Sequence, residues 1–206
     1  MSVQVKDKKP GVKTPGDVCS GWCTSFADAP LYSLIDTRIP EPRLFKVCRS
    51  LSGTQYYCYE AGGARYEVHR WVEADKTRLI FCKAGASGEG IKFCVHIFLN
   101  SNNEVEKILL TRVGRGVYLP EYRVARLLPK TGKIILMNEY WTKIGRKKEM
   151  VVQEKEFNAD DTCVLTPCSP EKMPWAQRPI RVCDIAKKLI QVARVALAVY
   201  GIPASL

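Results

Sequence analysis

From Leu44 to Pro167 the chain is a succession of short runs rich in β-branched and aromatic residues, each closed by a turn-forming separator. Only after Arg181 does one long apolar run of helical period appear. That order constrains the fold more than any other feature. Short runs divided by Ser52-Gly53, Gly62-Gly63, Asn100 to Asn103 and Thr131-Gly132 make hairpins, and hairpins make antiparallel sheet. The runs are 44–49, 55–60, 65–72, 78–83, 91–99, 105–112, 121–128, 133–141, 149–157 and 162–167, so ten strands are expected. In the clearest, Ile91, Phe93, Val95, Ile97 and Leu99 fall on one face and Lys92, Cys94, His96 and Phe98 on the other. A period of two marks a strand with one face in the core. His96 then stands on the opposite face as a surface or packing residue.

The closing helix is expected over 184–201, with Asp184 as N-cap, Gly201 as terminator and Pro203 just beyond. Ile185, Leu189, Val192, Ala193, Ala196 and Tyr200 form one stripe, opposite Lys187, Lys188, Gln191 and Arg194. A membrane span needs about 20 predominantly apolar residues, and Lys187, Lys188 and Arg194 interrupt the run. An amphipathic helix lying in a membrane interface is a second reading. Burial against the sheet is the favoured one, with Leu189, Val192, Ala196 and Tyr200 as buried residues.

With 206 residues, 46% of them apolar, the chain can bury one core. A single domain over 31–206 is expected, preceded by a flexible basic tail over 1–30 in which lysines mix with Pro10, Gly11, Pro15 and Gly16. The net charge is +11, and residues 101–150 carry eleven of the basic residues against five acidic ones. Such a patch attracts phosphates, of lipid headgroups or of nucleic acid, and salt weakens the attraction. Nine cysteines at irregular spacing, with no apolar leader run after Met1, read as buried free thiols in a reducing, cytoplasmic compartment. Neither Cys19 and Cys23 nor Cys163 and Cys168 has zinc-knuckle spacing.

Catalytic patterns are missing: there is no G-x-S-x-G elbow, P-loop, H-E-x-x-H or dinucleotide fingerprint. Cys94 and His96 share a strand face, but no third group orients them. A non-enzymatic protein is expected.

A hairpin array followed by one hydrophobic helix at the C-terminus can close into a barrel around that helix. The segment Lys92-Phe93-Cys94-Val95-His96-Ile97-Phe98, turning through asparagines into Glu104-Val105-Glu106-Lys107-Ile108, resembles a hairpin of the phospholipid scramblase and tubby-like barrel group. Gly132-Lys133-Ile134-Ile135 leading to Tyr140-Trp141, and Glu156-Phe157-Asn158-Ala159-Asp160-Asp161 ahead of the helix, are similar to two further segments of that group. The likeness covers about half of the chain, Ile91 to Tyr200. It implies a mainly β fold, an antiparallel barrel of about ten to twelve strands with the C-terminal helix packed inside. It also implies a scramblase-like or lipid-binding role at a peripheral membrane surface. The family's acidic segment makes Asp160 and Asp161 candidate calcium ligands. Calcium takes six to eight oxygens, so the plainer reading of the pair is two turn aspartates and no cofactor.

In a barrel, Lys143-Ile144-Gly145-Arg146-Lys147-Lys148 would form a loop at one rim beyond Trp141. Lys143, Arg146, Lys147 and Lys148 are the candidate headgroup contacts, with Arg123 and Arg126 in support and Trp141 at the water boundary. The same cations, with Tyr118, Tyr122 and Tyr140 for stacking, would suit nucleic acid as the alternative partner. A scaffold that uses the fold only for display is the third class.

Overall fold

The computed structural model describes residues 28–85, 90–112, 122–144, 147–158, 164–165 and 180–206. Nine strands follow one another as an antiparallel meander, each hydrogen-bonded to its neighbours in sequence. They are β1 (Lys46–Arg49), β2 (Gln55–Ala61), β3 (Ala64–Glu73), β4 (Lys76–Ala84), β5 (Ile91–Leu99), β6 (Val105–Arg112), β7 (Tyr122–Leu128), β8 (Lys133–Ile144) and β9 (Lys147–Asn158). A short pair, β10 (Val164–Leu165) with β11 (Ile180–Arg181), stands apart and leads directly into α2 (Val182–Val199). Helix α1 (Asp28–Asp36) and a single 3-10 turn, Pro42–Leu44, precede β1.

Strand alternation sorts the sheet into two faces. The inner face carries Val68 of β3, Leu79 and Phe81 of β4, and Phe93, Val95 and Ile97 of β5, all fully buried. Ile108 and Leu110 of β6, Leu127 of β7 and Leu136 of β8 continue it. Helix α2 lies on this face over β4, β5 and β6, and α1 packs beside it. Ile185, Leu189, Val192, Ala193 and Ala196 are buried, whereas Lys187, Gln191 and Arg194 face solvent. The stripe read from the sequence is therefore the packing face, and Tyr200 sits half-buried at its end with its hydroxyl donating to the Val68 carbonyl at 3.1 Å.

The helix ends in a Schellman arrangement. Ile202 N donates to Leu197 O at 2.9 Å and Gly201 N to Ala198 O at 3.0 Å. Gly201 adopts φ +66°, a conformation that a residue without a Cβ reaches freely.

Several expectations are corrected. A second helix, α1, begins at Asp28, inside the segment read as a flexible tail; residues 1–27 lie outside the described residues. Leu31, Leu34 and Ile35 give α1 an apolar face, and Pro30 suits a first helical turn. Asp184 is not the N-cap: α2 starts two residues earlier, with Arg181 at the N-cap position without a side-chain capping bond, and Asp184 sits in the first turn. There it accepts two hydrogen bonds from the Arg181 guanidinium, each of 2.9 Å. That pairing and the positive end of the helix both favour the carboxylate.

Among the described residues the sheet is not closed. Among the described residues no pairing joins β9 to β1, so α2 covers one face of an open nine-stranded sheet rather than threading a barrel. The outer face is partly sealed too. Cys94, His96, Thr111 and Met137 are buried there, and His96 Nε2 lies 3.2 Å from Thr111 Oγ1, so His96 is a packing residue.

Free thiols are corrected for four cysteines. Cys82 and Cys94 are directly opposed on β4 and β5, 4.3 Å apart at Cα, and are disulfide-bonded. Cys48 and Cys58 are joined across β1 and β2. Cys94 therefore has no thiolate to offer His96. Cys183 carries a free thiol, and the pairs Cys19–Cys23 and Cys163–Cys168 lie outside the described residues.

Leu189 has no exposed surface, so Leu189→Ala is expected to lower unfolding free energy by about 2–5 kcal/mol. Leu189→Asp should abolish the cooperative transition, because an unpaired buried charge costs several kcal/mol. Gln191→Ala, on the exposed side, should stay within about 0.5 kcal/mol. Denaturant titration checks all three, and a wild-type midpoint for Leu189→Asp would place the helix outside the core.

Candidate anionic-ligand surface

Strands β8 and β9 are the longest of the sheet, twelve residues each. Their neighbour β7 pairs with β8 only from Lys133 to Leu136. Beyond Leu136 the two strands pair only with each other among the described residues, as a two-stranded ribbon that runs on to Ile144 opposite Lys147. The expected rim loop is thus corrected to paired strand: Trp141 and Lys143 lie on β8, Lys147 and Lys148 lie on β9, and Gly145 and Arg146 lie outside the described residues.

The register places Lys143 opposite Lys148 and Trp141 opposite Met150. The register thus sets basic positions opposite one another at the end of the ribbon. Lys143, Lys147 and Lys148 are brought within one short ribbon end, and Arg146 lies outside the described residues.

The supporting arginines behave differently. Arg123 is exposed on β7, opposite Thr111 of β6. Arg126 is half-buried and forms an ion pair with Glu154 at 3.9 Å, which engages part of its charge. Asp160 and Asp161 lie outside the described residues, and among the described residues no group of three His, Cys, Asp or Glu side chains could hold a metal ion.

On the outer face of β2 and β3 the charges are paired. Arg65 bonds Glu67 at 2.6 Å, Glu60, and the Tyr56 hydroxyl at 3.0 Å. His69 Nε2 lies 2.8 Å from Glu67 Oε2 and its ring stacks on Tyr56 at 4.7 Å. The hydrogen bond from His69, and then that from Arg65, hold the Glu67 carboxyl at about 2, against the effect of its partial burial. Lys130 pairs with Glu104 at 3.0 Å and Lys133 with Glu156 at 2.8 Å.

One group of outer-face residues had no place in the sequence reading. Trp71, Arg78, Phe98 and Lys107 occupy one register row across β3, β4, β5 and β6. The Arg78 guanidinium lies 5.9 Å from the Trp71 ring and 6.0 Å from the Phe98 ring, and the Lys107 ammonium 4.2 Å from Phe98. The signal was present: Trp71 and Arg78 flank the Ala74-Asp75 turn symmetrically, which makes them opposite one another in any two-residue hairpin.

No family model, curated protein or solved structure matches the chain.

The Glu67 carboxyl has a pKa lower in the folded protein than the ordinary 4.5. Its stabilising contribution is therefore fully present above that ordinary value and is lost as pH falls towards 2. Glu67→Gln should cost about 1–2 kcal/mol at neutral pH, the worth of charge-assisted hydrogen bonds partly screened by solvent. The gap between the two proteins should close near pH 2. Paired denaturant titrations across this range test it; a gap independent of pH would assign the loss to packing.

Proposed function

We propose that this chain is a non-enzymatic module that binds anionic phospholipid headgroups through the basic tip of the β8–β9 ribbon. The observation that carries the reading is the ribbon itself, with Lys143 opposite Lys148 and Lys147 at the last paired position, extending past the end of its pairing with β7. Among the described residues no helix is long and apolar enough to cross a membrane. The proposed contact is accordingly peripheral.

Each basic residue near an anionic membrane contributes about 1 kcal/mol. Trp141, three positions before Ile144, supplies a side chain that prefers the water boundary. Arg123 and Arg126 lie on the neighbouring strand β7, Arg126 in an ion pair with Glu154. In the finer form of this reading headgroup binding is the step that any scramblase-like activity would need. Calcium held by Asp160 and Asp161 is an optional bridge to the headgroup phosphates.

The triple variant Arg146→Glu, Lys147→Glu and Lys148→Glu should weaken sedimentation with phosphoinositide-containing vesicles on the order of a hundredfold or more, with an unchanged far-UV spectrum. Undiminished binding would overturn the assignment. If calcium contributes, chelation should weaken binding of the wild type and leave an Asp160→Asn, Asp161→Asn variant unaffected.

A further inference from the structure

The outer face holds a second place where cation and aromatic surface meet, and it lies at the other end of the strands from the ribbon tip. Pairings of Thr77 with Leu99, Leu99 with Val105, Ile108 with Leu127 and Leu128 with Lys133 put the Ala74-Asp75 turn at the end where β8 begins, whereas the tip is where β8 finishes. Near that turn a cavity of about 280 Å³ opens beside the row of Trp71, Arg78, Phe98 and Lys107.

Three features distinguish this row. Its charges are available: among the described residues neither Arg78 nor Lys107 makes an ion pair or hydrogen bond, although Arg65, Arg126, Lys130 and Lys133 on the same sheet are each held by a glutamate. Among the described residues Arg78 and Lys107 lie over the faces of aromatic rings, contacts that leave their N–H donors available to an acceptor from outside the chain. Trp71 is 58% exposed, a large ring surface left open to water. The alternation of ring and cation also continues across four neighbouring strands, a distance of roughly 15 Å at the spacing of a sheet.

We infer that this row binds single-stranded nucleic acid, a base stacking on Trp71 and the adjoining phosphates lying on Arg78 and Lys107. Aromatic rings on a sheet surface accept bases without regard to sequence, and cations between them follow the backbone. The length of the row exceeds one base and so favours a strand over a lone nucleotide. Lys76 on the cavity rim adds a third cation, and Glu73 and Glu106 on the same rim are acceptors for sugar hydroxyls or exocyclic amines. This site is independent of the ribbon and of the headgroup reading.

The test is anisotropy of a labelled oligouridine strand titrated with the full-length protein, with adenosine monophosphate and inorganic phosphate as competitors. Trp71→Ala, at an exposed strand position, should weaken binding about tenfold or more, and Trp71→Phe should restore most of it. Arg78→Ala should weaken binding and flatten its salt dependence. Reversal of Arg146, Lys147 and Lys148 should leave the Trp71 dependence intact, which separates this site from the ribbon. No strand binding, binding indifferent to Trp71→Ala, or equal affinity for the strand and the mononucleotide would each overturn the inference.

Discussion

The fold depends on α2 covering the inner face of the sheet. Each of the nine meander strands pairs with a sequence neighbour, so the sheet by itself contains only local hairpin connections. Nothing in such a ladder buries the row of Phe81, Phe93, Val95 and Ile97. The helix does so, and it arrives last. Its long-range bonds show how far the chain must be gathered: Lys188 Nζ donates to the Thr37 carbonyl at 2.7 Å, and the Tyr200 hydroxyl reaches Val68. Thr37, just past the end of α1, also accepts from Lys83 Nζ at 2.7 Å, so strand β4 and both helices meet at one residue. Burial holds the Lys83 ammonium below the ordinary lysine range, with Lys92 adding to the effect.

Much of this was legible because periodicity and turn chemistry agree. Strands β5 and β6 match the expected runs at both ends, and the stripe of Leu189, Val192 and Ala196 is the packing face of α2. The failures have separate physical causes. Helix α1 is only nine residues long and follows a stretch in which lysines mix with Gly and Pro, so its Leu31 and Leu34 pair is a weak signal. The basic segment after Trp141 looks like a loop because lysine and arginine have little β-propensity, and strand pairing overrides that preference. Disulfides depend on which strand positions oppose each other, which spacing alone leaves open.

The candidate sites were legible as charge and not as geometry. Residue counts located the excess in 101–150, but the counts could not tell a paired cation from one without an acceptor. Arg126, set beside Lys143 and Lys148 in the sequence reading, turns out to be engaged by Glu154, while Arg78 and Lys107 lie outside any run of basic residues and become neighbours only through cross-strand register. The sheet thus presents two basic surfaces of different character. The ribbon gathers basic positions at one end of the strands; the row near the opposite end alternates cations with rings, of which Trp71 is exposed.

The most direct measurement is vesicle sedimentation of the unmodified protein as a function of salt, with phosphoinositide-containing vesicles set against neutral ones. The account predicts binding confined to the anionic vesicles, falling steeply as salt is raised and unaffected by Trp71→Ala. Equal binding to neutral vesicles, or no binding to anionic ones at low salt, would contradict it.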